Sequence, residues 1–139
     1  MNEPNPLPGA TPPGPTKHRV FVVDDHALMR RSIVEAIERE PDLEVCGQAW
    51  DVPGALADIR SLGPQIVLTD LQLKASSGLD LIKALKEQAP KTIVVATTMF
   101  DVRRNERLAR MAGAAGFCSK HDGPEKLITV LHEALASVK

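Results

Sequence analysis

Five polar residues stand where short apolar runs end. Asp24 and Asp25 follow residues 20–23, Asp70 closes Ile66-Val67-Leu68-Thr69, Thr98 follows residues 92–97, and Lys120 follows residues 116–119. Each run reads as a strand, and Gly63-Pro64 punctuates the start of the one ending at Asp70. If these strands run parallel in one sheet, the residues just past them collect on a single edge, where open α/β sheets place their sites. Three carboxylates, a hydroxyl and an ammonium then converge. Carboxylates at such range repel one another unless a cation joins them. The donor set is rich in oxygen, with no convergent His or Cys expected, so a hard octahedral ion is favoured, Mg²⁺ or Mn²⁺ in its place. A carboxylate nucleophile, a Lewis acid, a cation and a hydroxyl donor suffice for phosphoryl transfer to Asp70. Singly, each residue has an ordinary reading: the acids as helix caps, Thr98 as a β-former, Lys120 as a solvated loop lysine. Their shared placement is what gives them chemistry.

The elements that must position them can be read in order. Structure is expected from Arg19, with a first strand at 20–23. Residues 26–39 form a helix with Leu28, Ile33 and Ile37 as its apolar stripe. Leu43, Val45 and Gly47 alternate against Glu44, Cys46 and Gln48, which suits an edge strand over 43–49. A second helix over 51–62 has Asp51 as N-cap, Pro53 in its first turn and Gly63 at its stop. The loop after Asp70 runs from Leu71 to Ser77 and leads to a helix over 78–88 carrying Leu79, Ile82 and Leu85. A strand over 92–97, a polar Arg-rich helix over 101–112, a strand over 116–119 and a helix from 124 to about 138 complete the chain. The last helix carries Leu127, Ile128, Leu131 and Leu135. Strand and helix alternate five times, which implies an α/β fold, doubly wound, with a five-stranded parallel sheet and right-handed crossovers.

Composition bounds the rest. The chain has 139 residues and a net charge of −1, enough for one domain with a real core and without a basic field for nucleic acid. Cys46 and Cys118 show no CxxC spacing and read as buried thiols. No apolar run approaches the roughly 20 residues that span a bilayer. No signal-peptide pattern opens the chain, so a cytoplasmic location is expected. Residues 1–16 carry six prolines and two glycines and read as a disordered tail, with the folded domain over 17–139.

The motifs Val22-Val23-Asp24-Asp25-His26, Leu68-Thr69-Asp70, Gly78, Thr98 and Phe117-Cys118-Ser119-Lys120 resemble those of the receiver domain of two-component response regulators. The Asp25-His26 wording with Leu28 and Arg30, and the spacing from Asp70 to Thr98, are similar to the NarL/FixJ (LuxR-type) branch. The resemblance covers about 17–138. It implies a flavodoxin-like strand order, 2-1-3-4-5, with Asp70 as phosphoacceptor. Asp24 and Asp25 would hold Mg²⁺, helped by Asp70 and the backbone carbonyl of Gln72. Thr98 would be the switch hydroxyl, Phe117 the aromatic that changes rotamer with it, and Lys120 the phosphoryl-binding lysine. It further implies a sensor histidine kinase or phosphotransfer protein as donor, and it allows a homodimer. A phosphorylated aspartate would then reshape the face made by the fourth helix, fifth strand and fifth helix.

Three departures from the family pattern stand out. Lys74 occupies a position where proline is usual, so it adds a cation near the mouth of the site instead of a stiff loop. His121 follows Lys120 where many relatives have proline, so a trans peptide is expected there. Phe100 lies two positions past Thr98, where an apolar ring would shield an acyl phosphate from water. His26, His121 and His132 read as surface or loop residues. The branch normally continues into a helix-turn-helix DNA-binding domain, which is absent from this chain, so the chain itself should not bind DNA specifically. It is either a stand-alone receiver or the receiver of such a transcriptional regulator. Two other readings compete: an aspartyl-phosphate phosphatase, which wants a DxD motif on the first strand, and a pseudo-receiver that only docks. Neither suits adjacent strand-one acids combined with a complete set of site residues.

Overall fold

The computed structural model describes residues 17–137. The tail expected over 1–16 and the end of the last helix at 138 lie outside the described residues. The elements run β1 (His18–Val23), α1 (Ala27–Glu38), β2 (Leu43–Ala49), α2 (Val52–Leu62), β3 (Ile66–Asp70), α3 (Gly78–Gln88), β4 (Ile93–Thr98), α4 (Val102–Ala112), β5 (Gly116–Ser119) and α5 (Pro124–Ala136). A single turn of 3-10 helix, Lys120–Asp122, joins β5 to α5. All neighbouring strands pair in parallel, in the order β2-β1-β3-β4-β5. The doubly wound sheet and its strand order are those expected from the sequence.

Alternation within the strands divides the core between the two faces of the sheet. Val20, Val22, Ile66, Leu68 and Val95 pack against Ile33 and Ile37 of α1 and Leu127 and Leu131 of α5. Phe21, Val23, Val67 and Ala96 turn the other way, toward Ile59 of α2, Leu81, Ile82 and Leu85 of α3, and Ala109 and Ala112 of α4. β3 is central and buried along its whole length. That burial explains why its sequence is apolar on both faces as far as Leu68, before Thr69 and the final acid.

Three details differ from expectation. Leu28 is 80% exposed, so the α1 stripe rests on Ile33, Ala36 and Ile37. β4 includes Thr98 as its last residue instead of ending before it. β2 is an edge strand, yet its alternation breaks. Val45 pairs with Val20 and Gly47 with Phe21, which leaves Cys46 as an extra residue. Such a bulge transfers the following residues to the other face. Leu43 and Val45 therefore pack toward α1 and α5, while Cys46 and Ala49 pack toward α2 and α3. Gly47 is required where the strand crosses over. A Cβ there would lie 2.7 Å from Cε2 of Phe21 and 2.9 Å from Cδ1 of Leu62. Gly47→Ala is expected to cost about 1–3 kcal/mol through overpacking, read as a lower urea midpoint; an unchanged midpoint would mean that the Phe21 ring has room to retreat.

Candidate functional site

β3 delivers Asp70 to the carboxyl edge of the sheet, and the carboxylate is only 3% exposed. Its Oδ1 accepts the backbone N–H of Gln72 at 3.0 Å, and its Oδ2 accepts Lys120 Nζ at 2.9 Å. The same ammonium reaches Asp24 Oδ2 at 2.7 Å. Lys120 is thus a buried bridge between the ends of β1 and β3, although its backbone belongs to the turn after β5. Asp24 is fixed from two further directions. Its Oδ1 accepts the N–H of His26 at 2.9 Å, and its carbonyl accepts Arg30 Nη1 at 2.7 Å. Arg30 in turn donates to Gln48 Oε1 at 3.1 Å and lies over the Trp50 ring, 5.9 Å from its centroid. One α1 side chain therefore ties the ends of β1 and β2 together beside the acids.

Electrostatics follow from this burial. Burial pushes the Asp70 carboxyl above the usual carboxylate range, outweighing the pull of Lys120 and the Gln72 N–H. Burial also opposes the charge on Lys120, but hydrogen bonds to Asp24 and Asp70 hold its ammonium above its ordinary pKa. The first shift disfavours the ion pair and the second favours it. The second decides, because one cation shared by two carboxylates within hydrogen-bond distance keeps the group ionised at neutral pH.

A divalent cation fits this edge. Asp24, Asp25, His26 and Asp70 each place one ligand atom within 4.8 Å of the others. One oxygen of Asp25 accepts the backbone N–H of Lys74, while Oδ1 is buried and has no hydrogen-bond partner. A buried carboxylate oxygen without a donor is costly and is well matched by a metal. Two of the three carboxylates share the Lys120 ammonium and the third, Asp25, does not reach it, which leaves negative charge to be neutralised. The expectation of no convergent histidine needs correcting: His26 Nδ1 lies 3.1 Å from Asp25 Oδ1, because its backbone caps the start of α1.

The remaining expected residues are placed as follows. Thr98 is fully buried, and its hydroxyl is engaged by Gln72 Oε1 at 2.7 Å and by the loop that follows β4. Phe117 is already buried in the core layer beneath α4. Phe100 is 68% exposed at the start of α4. Lys74 lines a surface cavity with Asp25, Arg30 and Trp50 and contributes its backbone N–H to Asp25, a bond that proline at that position could not make. The peptide before His121 is trans, as expected, and the His121 ring meets the carbonyl of Met99 at 3.0 Å. His132 pairs with Asp42 far along α5. Sequence reasoning did not single out the Gln72 side chain, Arg30 as a tie between strands, or Asn105. Gln72 was within reach, since it lies next but one to Asp70.

Gly78 opens α3 against the back of this site. A Cβ there would fall 2.2 Å from the Asp70 carbonyl oxygen and 2.8 Å from Leu71 Cα. Both are backbone atoms and cannot swing aside. Gly78→Ala should therefore displace the Asp70 loop and destabilise the fold by about 1–3 kcal/mol or more; a thermal melt matching wild type would contradict this.

Burial pushes the Cys118 thiol up to about 11. Between its ordinary value of 9.0 and about 11 the unfolded chain loses a proton that the folded chain keeps. Stability should thus fall as pH rises across that window. Cys118→Ala should flatten the fall, and denaturant midpoints measured against pH would reveal it.

Among the described residues, no helix is long and apolar enough to cross a membrane. The family profile of the response regulator receiver domain matches residues 20–132. The nitrate/nitrite response regulator protein NarP of Escherichia coli is 33% identical over 125 residues, covering 90% of this chain and 56% of NarP. A protein-glutamate methylesterase/protein-glutamine glutaminase of Halalkalibacterium halodurans is 34% identical, covering 86% of this chain and 36% of that protein. The chain thus spans about half the length, or less, of these relatives. Among solved structures, a LuxR-family two-component response regulator from Aurantimonas sp. superposes with a TM-score of 0.84 at 27% identity, covering 89% of both chains. The signal receiver domain of a NarL response regulator from Mycobacterium tuberculosis superposes with a TM-score of 0.79 at 30% identity, covering 86% of this chain and 98% of that one. A sheet edge carrying this acid-and-lysine cluster and a family match across nearly the whole fold lead to one assignment: the chain belongs to the response regulator receiver family, on its NarL/FixJ branch.

Proposed function

We propose that Asp70 accepts a phosphoryl group from the phosphohistidine of a sensor histidine kinase or a phosphotransfer protein, and that the domain signals through this charge. The observation that carries the reading is the buried Lys120 ammonium held between Asp70 and Asp24 at 2.9 and 2.7 Å. In the transfer, an Asp70 oxygen forms a bond to phosphorus as the phosphorus–nitrogen bond of the donor breaks. The electron pair leaves with the imidazole. Lys120 stays beside the transferred group and offsets its added charge. Asp24, Asp25, Asp70 and the Gln72 carbonyl would hold Mg²⁺ or Mn²⁺, which when bound would supply positive charge to the phosphoryl oxygens. The domain then acts as a switch and not as a turnover enzyme, and a cytoplasmic setting suits a kinase partner.

The added dianion and its acceptor oxygens attract donors that the free carboxylate does not. Thr98 would turn its hydroxyl toward a phosphoryl oxygen. Phe117 and α4 would follow, and the α4–β5–α5 face would change shape. A DNA-binding output domain, of the kind the NarL/FixJ branch normally carries, would read that change if one is joined to this receiver. Intact mass after incubation with Mg²⁺ and acetyl phosphate tests the acceptor. Wild type should gain one phosphoryl group and Asp70→Asn none; gain by both would move the site elsewhere. Phe100 supports a further expectation. It stands two positions past Thr98, where the family resemblance puts the group that tunes attack by water, and an apolar ring there should hinder that attack, so Phe100→Glu should shorten the phosphoryl lifetime severalfold. Equal lifetimes in a mass-spectrometric decay series would remove that role.

A further inference from the structure

We propose that Asn105 is a positioning residue that latches Thr98, and with it the start of α4, in the unphosphorylated arrangement. This rests on the reading of Asp70 as phosphoacceptor and adds a component to its control. A hydroxyl has one proton to donate and two lone pairs. Thr98 Oγ1 uses all three: its proton goes to Gln72 Oε1 at 2.7 Å, the nearer of two acceptors, with the Phe100 carbonyl at 3.0 Å, and it accepts the Phe100 N–H at 3.3 Å and Asn105 Nδ2 at 3.2 Å. The second hydrogen on Asn105 Nδ2 goes to the Phe100 carbonyl at 2.7 Å. One amide group of α4 therefore clamps both the hydroxyl at the end of β4 and the loop that follows it.

The clamp sits where α4 is otherwise weakly anchored. Asp101 stands at the N-cap with φ 45°, the only non-glycine residue in the left-handed region among the described residues. Its side chain makes no capping hydrogen bond. A left-handed Asp costs free energy and stores it at the junction of β4 and α4. Asn105 is half-buried and lies one turn into the helix, with its own N–H bonded to the Asp101 carbonyl. The entry to α4 is thus held by the side chain that senses Thr98. Drawing Thr98 toward a phosphorylated Asp70 must break the bond to Gln72, since the hydroxyl proton is single, and must stretch or break the bond to Asn105. The loss at Thr98 leaves the Asn105 amide with the Phe100 carbonyl alone, so one bond in place of two holds the first turn of α4 to the end of β4. Local movement of one hydroxyl thereby becomes movement of a helix end.

Removing the clamp should lower the cost of leaving the unphosphorylated arrangement. Asn105→Ala should bind beryllofluoride with Mg²⁺ about fivefold more tightly, the factor one neutral hydrogen bond commands. Asn105→Asp should do the same, because an ionised carboxylate of equal size cannot donate. Either change should matter clearly less in a Thr98→Val background, where only the Phe100 carbonyl is left to the amide; this double-mutant cycle separates a latch from general loosening. Hydrogen exchange without any ligand supplies an independent reading: the Phe100 amide should exchange several-fold faster in either Asn105 variant. Wild type failing to bind beryllofluoride would sink the acceptor reading of Asp70, and exchange would still judge the clamp. Wild type binding normally, with affinity and Phe100 exchange unmoved in both variants or equally moved after Thr98→Val, overturns the latch alone.

Discussion

Lys120→Met should unfold at markedly lower denaturant than wild type in the absence of divalent metal, by about 3–5 kcal/mol, the cost of removing one partner from a buried ion pair. The side chains are close in volume, so packing changes little. The loss is electrostatic. Asp24 and Asp70 are 1% and 3% exposed, and each directs an oxygen at the one ammonium within reach. Without it, two desolvated carboxylates face each other with no cation between them. The pH dependence has a definite sign. The folded-state pKa of Lys120 lies above its ordinary 10.5. Its contribution is therefore fully present below 10.5 and is lost as pH rises through the higher folded value. Wild type should lose stability in that alkaline range, and Lys120→Met should lack this component. Phosphorylation by acetyl phosphate should slow by about 100-fold or more, as when one charge-stabilising donor is removed from an anionic transition state. A stability loss below about 1 kcal/mol would show that the acids find another counter-charge, and an unchanged phosphorylation rate would remove Lys120 from the chemistry.

Much of this site could be read from the sequence because a parallel sheet converts position along the chain into position in space. An apolar run followed by Asp24-Asp25, Asp70, Thr98 or Lys120 fixes both the strand and the edge at which the polar group emerges. The structure brings Asp24, Asp70 and Lys120 into direct contact on that edge. Other features were not legible, for physical reasons. Nothing in the β2 pattern marks Cys46 as an extra residue, because the bulge answers to the Phe21 ring across the pair. Leu28 fits the helical stripe, yet it stands in the first turn of α1, ahead of the buried Ile33, Ala36 and Ile37, and is exposed to solvent. His26 joins the acids only because a helix starts there and turns its ring back on the preceding residues. Asn105 reads as one polar residue on a polar helix. Its partners Thr98 and Phe100 come from the preceding strand and loop, so the contact depends on the sharp entry at Asp101.

The second large effect concerns Asp25, and its sign should reverse with metal. In metal-free protein Asp25 lies beside two other acids, with one oxygen held by the Lys74 N–H and Oδ1 buried without a hydrogen bond, its nearest polar neighbour being the exposed His26 ring at 3.1 Å. Asp25→Asn removes one negative charge from a cluster served by a single ammonium, and should raise metal-free stability by about 1 kcal/mol or more. With divalent metal the order inverts. Anything that binds only the folded state stabilises it by RT ln(1 + [L]/Kd), about 2.7 kcal/mol at a hundredfold excess over Kd. Wild type should climb by that amount as Mg²⁺ is raised, while Asp25→Asn should scarcely respond, having lost a charged ligand whose free oxygen is already desolvated. Trp50 is the sole tryptophan and shares a surface cavity with Asp25, so its fluorescence gives a second, equilibrium readout of binding. Crossing stability curves would place the ion on Asp25. Parallel curves, with both proteins gaining equally from Mg²⁺, would place it elsewhere and leave Asp25 without a ligand's role.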